Sequence, residues 1–160
     1  MAMVNISVIG GTRCSDAVYD SAVKIGTLLA GEGAVVICGG LTGVMEGVAR
    51  GVRSAGGVCI GILPGSDRTS ANQYLTAAIP TGIGFARNFL VVRAGDAVIA
   101  IDGDHGTASE SHFALSEGKP LVLPYREDIS DSGGKAGYLF HAGSEEEAVR
   151  IAMREAGKTA

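Results

Sequence analysis

Short apolar runs recur along the chain, and most are followed by a stretch whose apolar residues return every three or four positions. Asn5 to Ile9 is the first run, closed by Gly10-Gly11. From Ser15 to Glu32, Val18, Ala22, Ile25, Leu28 and Leu29 recur at helical spacing, and Gly31 and Gly33 end that helix. Ala34 to Cys38 is a continuous apolar strand stopped by Gly39-Gly40. A helix is predicted over Gly43 to Ala55, ended by Gly56-Gly57, and a third strand over Val58 to Leu63, ended by Pro64-Gly65. Ser66 to Gln73 is polar and reads as a loop. Tyr74 to Ile79 reads as a short strand, Gly84 to Ala94 as a helix, and Ala97 to Ile101 as a buried strand. Gly106 to Glu117 is a helix with Gly118-Lys119-Pro120 as its stop, and Leu121 to Leu123 is another strand. Arg126 to Lys135 is a polar loop, and a strand near Tyr138 to His141 leads to a last helix from Glu145 to about Glu155.

Strands of nearly unbroken Val, Ile and Ala, each followed by a helix, are what a parallel sheet covered on both faces requires. The expected fold is α/β: a single Rossmann-like three-layer αβα domain with a mainly parallel sheet, spanning residues 1–160. No internal repeat or linker interrupts it.

Composition adds one anomaly. Glycine accounts for 25 of 160 residues, about double its usual share. The glycines have no three-residue period and cluster at joints, which excludes a collagen-like chain or a flexible linker. The net charge of −4, with no basic run, argues against nucleic acid as a partner, and the few aromatics offer little for stacking on single strands. No apolar run is long enough to cross a membrane. The start, Met1-Ala2-Met3-Val4-Asn5, lacks the charged segment of a signal peptide. Cys14, Cys38 and Cys59 are odd in number and lack metal or redox spacing, so reduced thiols in the cytoplasm are expected. A mean hydropathy of +0.28 points to apolar surface shared between subunits.

In such a fold, ligands bind beyond the carboxyl ends of the strands, where helix N-termini point outward. Three glycine clusters fall at such ends. They are Gly10-Gly11-Thr12-Arg13, Gly39-Gly40-Leu41-Thr42-Gly43 and Gly103-Asp104-His105-Gly106-Thr107. Any one of them can be a tight turn and nothing more. Three on one edge point to a rim of backbone amides for an anion such as phosphate.

The standard nucleotide motifs are absent. No G-x-G-x-x-G follows the first strand, and Gly157-Lys158-Thr159 lacks the first glycine of a P-loop, Ala152 standing there. His105, His112 and His141 have no ligand spacing with the cysteines, so no catalytic metal is expected. Thr107 and Glu110 have capping-box spacing, as do Ser144 and Glu147. At Ser144 capping is the whole reading. At Thr107 the glycine-rich approach leaves a second one open, in which Glu110 acts on a bound ligand.

Gly103-x-x-Gly106-Thr107-x-x-Glu110 resembles the P-G-G-x-G-T-x-x-E signature of the LOG-like proteins, also called the "lysine decarboxylase-like" superfamily. Gly39-Gly40-Leu41-Thr42-Gly43-Val44-Met45 is similar to that family's glycine-rich turn, Ala86-Arg87-Asn88 to its A-R-N or R-K element, and Gly10-Gly11 to its first turn. The resemblance runs from roughly Val4 to Ala156. The short chain and the Gly82-x-Gly84-x-Ala86-Arg87-Asn88 stretch look most like the branch of molybdenum cofactor carrier proteins. Asp102 and Asp104 stand where glycines are usual, and carboxylates there repel phosphate unless they face away, are protonated or pair with a cation.

The resemblance implies a cytosolic protein that binds an anionic, phosphate-bearing ligand, the molybdenum cofactor (molybdopterin) for its branch. Gly10, Gly11, Thr12, Arg13, Gly39, Gly40, Gly43, Arg87, Asn88, Gly103, His105, Gly106 and Thr107 are then the binding set. The other branch implies a nucleoside 5′-monophosphate phosphoribohydrolase, with Arg87 and Glu110 catalytic. A non-catalytic nucleotide sensor is the third alternative. Family members pair through helices, which implies a homodimer or homotetramer.

Overall fold

The structure is a computed structural model, and it describes residues 3–102, 105–125 and 138–159. Seven strands form one sheet: β1 (Asn5–Ile9), β2 (Val35–Cys38), β3 (Val58–Leu63), β4 (Ala77–Pro80), β5 (Ala97–Ala100), β6 (Leu121–Pro124) and β7 (Leu139–Ala142). Their order is β4-β3-β2-β1-β5-β6-β7, and every neighbouring pair is parallel. The mainly parallel sheet expected from the sequence is wholly parallel among the described residues. All residues of β2, β5 and β6 are buried, whereas the edge strand β4 is largely exposed.

Among the described residues five α-helices cover the sheet: α1 (Asp16–Gly31), α2 (Val44–Ser54), α3 (Arg87–Ala94), α4 (His105–Ser116) and α5 (Glu145–Thr159). Helices α1, α2 and α5 close one face over Ile6, Val8, Val36 and Ile99. Helices α3 and α4 close the other over Ile9, Ile37, Val98 and Leu123. This is the expected three-layer αβα arrangement. Alternate residues of each strand feed opposite layers, which is why the strands read as continuous apolar runs.

Most element boundaries lie within a residue or two of the sequence reading, and the exceptions have local causes. The strand expected from Tyr74 starts only at Ala77. Asn72 Oδ1 accepts the Tyr74 N–H at 3.0 Å, which bends the chain, and Thr76 Oγ1 accepts the Cys59 N–H at 3.0 Å. The helix expected from Gly84 opens with a 3₁₀ turn, Gly84–Ala86, before α3. The last helix runs on to Thr159, with Lys158 Nζ 2.9 Å from both Glu155 oxygens. The polar stretch 126–135 lies outside the described residues.

Several glycines do something the sequence reading did not assign. A Cβ on Gly26 of α1 would lie 2.2 Å from the Val48 carbonyl oxygen of α2, and one on Gly51 of α2 would lie 2.0 Å from the Val23 carbonyl oxygen of α1. The two helices pack backbone against backbone, and only hydrogen fits between them. Gly57, expected as a helix stop, is also a close approach: a Cβ there would meet the Ala30 Cβ at 2.6 Å. Gly33, Gly56 and Gly118 do end helices with positive φ.

Candidate functional site

The chain leaves β1 toward β2 on one side and resumes at β5 on the other, so the strand order reverses between β1 and β5. A crevice opens at the carboxyl ends there, as expected for a doubly wound sheet. Its floor is tied by hydrogen bonds from Gly11 N–H to the Asp102 carbonyl and from Ile101 N–H to the Ile9 carbonyl, each 3.0 Å. The turns after β1 and β2 interlock beside it. Val44 N–H donates to the Gly11 carbonyl at 3.0 Å, and Thr42 Oγ1 to the Thr12 carbonyl at 3.0 Å. Gly43 makes this possible: its φ is +67°, and a Cβ would lie 2.4 Å from the Gly11 oxygen.

The crevice is a cleft of about 360 Å³. Gly10, Gly11, Thr12, Gly39, Arg87, Asn88, Thr107 and Glu110 line it, together with Val8, Ile9, Leu41, Met45, Phe85 and Val91. Gly40, Gly43 and Arg13, expected in the binding set, are not among the residues lining it. Gly40 N–H is directed at the Cys38 sulfur, Gly43 serves the turn, and Arg13 is exposed. Gly11 lines the cleft, but its N–H is spent on Asp102. Gly103 and Asp104 lie outside the described residues, and His105 and Gly106 fall in the first turn of α4.

Arg87 is the most unusual group in the cleft. It is 6% exposed, and its Nε has no hydrogen-bond partner. One terminal nitrogen donates to the Gly39 carbonyl at 3.4 Å. Burial pulls its pKa down, while Glu110 and Cys38 push it up. A guanidinium stays charged even so, so the cleft wall carries a buried cation. An unpaired buried donor costs about 1–3 kcal/mol, which a ligand anion would relieve. Helix α3 is held for this purpose by Ser7 Oγ, which donates to the Val91 carbonyl from within the core. At its start, Gly82 and Gly84 take positive φ and turn the chain out of β4, with Gly84 N–H on the Pro64 carbonyl at 3.0 Å.

Thr107 and Glu110 come from α4. The helix begins at His105, so Thr107 is its third residue and not the N-cap, and the capping-box reading fails there. Both side chains are buried, and both line the cleft. At Ser144 the capping reading holds. Ser144 Oγ accepts the Glu147 N–H at 3.1 Å, and the Glu147 carboxylate accepts the Gly143 N–H at 2.8 Å.

Behind the Gly39 wall lie two thiols, Cys38 and Cys59, with sulfurs 3.9 Å apart. The Cys59 S–H holds the Cys38 pKa down, against burial and with help from Gly40 N–H and Arg87. Cys38 and burial push Cys59 up. The apolar half of the cleft escaped the sequence reading. Val8, Ile9 and Val91 sit in runs that read only as core, and Phe85 gave no signal beyond helical spacing. Among the described residues, no group of three or more His, Cys, Asp or Glu could hold a metal, and no helix is long and apolar enough to cross a membrane.

Comparison with known proteins places this architecture. The chain is similar over most of its length to the molybdenum cofactor binding protein of the phototrophic bacterium Rippkaea orientalis. Identity is 33%, the TM-score is 0.89, and the match covers 96% of this chain and 98% of that one. The molybdenum cofactor carrier protein of Chlamydomonas reinhardtii is similar at 27% identity and a TM-score of 0.88, covering 98% of this chain and 99% of that one. An uncharacterized protein of Archaeoglobus fulgidus is 42% identical over 122 residues, covering 76% of this chain and 80% of that one. The sequence model of the SLOG cluster4 family matches residues 3–150, and the chain belongs to that family.

Proposed function

We propose that the protein binds an anionic, phosphate-bearing small molecule in the cleft between β1 and β5, as a carrier or store of the molybdenum cofactor. The observation that carries this reading is Arg87, a buried guanidinium with an unpaired Nε in a cleft edged by Gly10, Thr12 and Thr107. The likeness to a molybdenum cofactor binding protein and a carrier protein supports the choice of ligand. Arg87 supplies the countercharge, and the Thr12 and Thr107 hydroxyls are donors to the phosphate. The test is titration of the purified protein with molybdenum cofactor, with inorganic phosphate as competitor. Stoichiometric binding that phosphate displaces, and that Arg87→Ala weakens tenfold or more, is expected. Binding untouched by either sinks the reading.

One observation favours a second reading. Glu110 is 7% exposed and lines the same cleft as Arg87, which puts a carboxylate for the sugar beside a cation for the phosphate of a nucleoside 5′-monophosphate. Glu110 would stabilise a cationic sugar while Arg87 holds the phosphate. Free base released from AMP, and lost in Glu110→Gln, would establish that activity and end the pure carrier reading.

The proposal includes a homo-oligomer. Ile83, Phe89 and Leu90 are each 43–50% exposed on the α3 side, where Phe89 meets Phe113 edge-on at 4.7 Å. A second copy would cover them. The free thiols Cys14, Cys38 and Cys59 support a reducing, cytoplasmic setting.

A further inference from the structure

We propose that Cys38, Cys59 and Met45 form a buried site for a soft monovalent metal ion such as copper(I), held between β2, β3 and the first turn of α2. The site lies behind the cleft wall, and its donors owe nothing to the identity of the molecule in the cleft.

Nothing in the spacing of Cys38 and Cys59 along the chain marks them as a pair. The sheet register does. Val36 pairs with Cys59 and Cys38 with Gly61, so both thiols lie on the face that α2 covers. With metal–sulfur bonds of about 2.3 Å, two sulfurs 3.9 Å apart close an angle of about 115° at the ion. That angle leaves place for a third donor, which a linear pair would not. Met45 supplies it. Its carbonyl lies 3.9 Å from the Cys38 sulfur, and its thioether packs on Gly39, where a Cβ would be 2.5 Å from Sδ. An unbranched thioether adapts to such a position without moving the backbone.

Two thiolates and a thioether select soft ions. Zinc takes four ligands, and among the described residues no third His, Cys, Asp or Glu joins the two thiols. Both cysteines are buried among Val44, Val48 and Val52, which keeps water from the ion. Binding exchanges two S–H protons for one cation, and the ion keeps its oxidation state. The site is left with a single negative charge. Arg87, whose terminal nitrogen donates to the Gly39 carbonyl, is the nearby countercharge, and Gly40 N–H is directed at the Cys38 sulfur. Gly39 and Met45 both line the cleft, so an ion entering from there meets the thioether before the thiols.

The experiment uses the full chain carrying Cys14→Ser, which removes the partly exposed thiol. The reduced protein is titrated with copper(I) without oxygen, against bicinchoninate as competing chelator. One copper(I) per chain is expected, with ultraviolet thiolate-to-copper absorption and three sulfurs about 2.3 Å from the metal by X-ray absorption. Loading should raise the melting temperature, because the folded chain holds the ion better than the unfolded one. Added to that background, Cys38→Ser and Cys59→Ser are each expected to cost more than about hundredfold in affinity, and Met45→Leu about tenfold. Cys38→Ala and Cys59→Ala replace the serine variants should a buried hydroxyl disturb folding. Copper(I) that stays with the chelator, binding unchanged by the Cys38 and Cys59 substitutions, fewer than three sulfurs on the metal, or a melting temperature lowered by loading each overturns the site.

Discussion

The Gly11 N–H donates to the Asp102 carbonyl at 3.0 Å and joins the carboxyl ends of β1 and β5 across the point where the strand order reverses. One bond thus serves two purposes. It completes the crevice floor, and it removes from the glycine rim an amide that the turn sequence alone would offer to an anion. Buried backbone donors are rarely left unpaired, so a turn glycine serves a ligand only where no carbonyl reaches it first.

The α1–α2 contact predicts a sharp split among glycine substitutions. Gly51→Ala places a methyl 2.0 Å from the Val23 carbonyl oxygen and should cost about 1–3 kcal/mol. Gly31→Ala, with nothing within 4 Å, should be neutral or stabilise by up to about 1 kcal/mol. Urea denaturation of the two variants measures the difference. Equal stability would mean the helices are not packed this closely.

Below about pH 5, the start of α5 should make stability depend on pH. Glu146 is held below the ordinary carboxylate range by its hydrogen bond to Lys24, 2.7 Å away. Glu145 is raised by burial, but its own backbone N–H, Ser21, Tyr125 and Lys24 outweigh that and lower it. A depressed folded pKa means the unfolded chain binds more protons in this window. The stabilisation is therefore complete above the unfolded pKa and is lost as pH falls through the folded one. Melting temperatures between pH 3 and 7 should fall toward acid, and less steeply in Lys24→Met.

Removing the α5 cap is a cleaner loss. Ser144→Ala deprives the Glu147 N–H of its acceptor and should cost about 1 kcal/mol, measured by thermal or urea unfolding. Thr107→Ala, inside α4, should show no such capping loss.

The thiols should separate by burial. Cys38 and Cys59 are fully buried, whereas Cys14 is partly exposed. Burial and the carboxylates of Asp102, Asp16 and Glu46 raise the Cys14 pKa. Native alkylation at pH 8 should add one group by mass, at a rate below that of a free cysteine, and three after unfolding. Three additions to the native protein would contradict the packing of the sheet.

Light scattering tests the exposed α3 face. An oligomer that Leu90→Asp splits is expected; a 16 kDa species in the unaltered protein at micromolar concentration would refute the proposed assembly.

The parallel sheet and its helices were legible because they follow from periodicity: strands buried on both faces read as unbroken Val-Ile-Ala runs, and helices as residues such as Val18, Ala22, Ile25 and Leu29. Arg87, Asn88, Thr107 and Glu110 were legible as motif residues. Which of them meet was not, because the crevice joins the carboxyl ends of β1 and β5, where Ile9 pairs with Ala100, far away along the chain. The glycine excess divides the same way. By itself the sequence marked the turns and helix ends, where backbone torsion is a local property. Only the tertiary structure revealed Gly26 and Gly51 as the contact between two helices, left Gly40 and Gly43 out of the cleft, and turned Phe85 toward it. Those outcomes depend on which backbone lies within a few ångströms of another, and spacing along one chain carries no such distance.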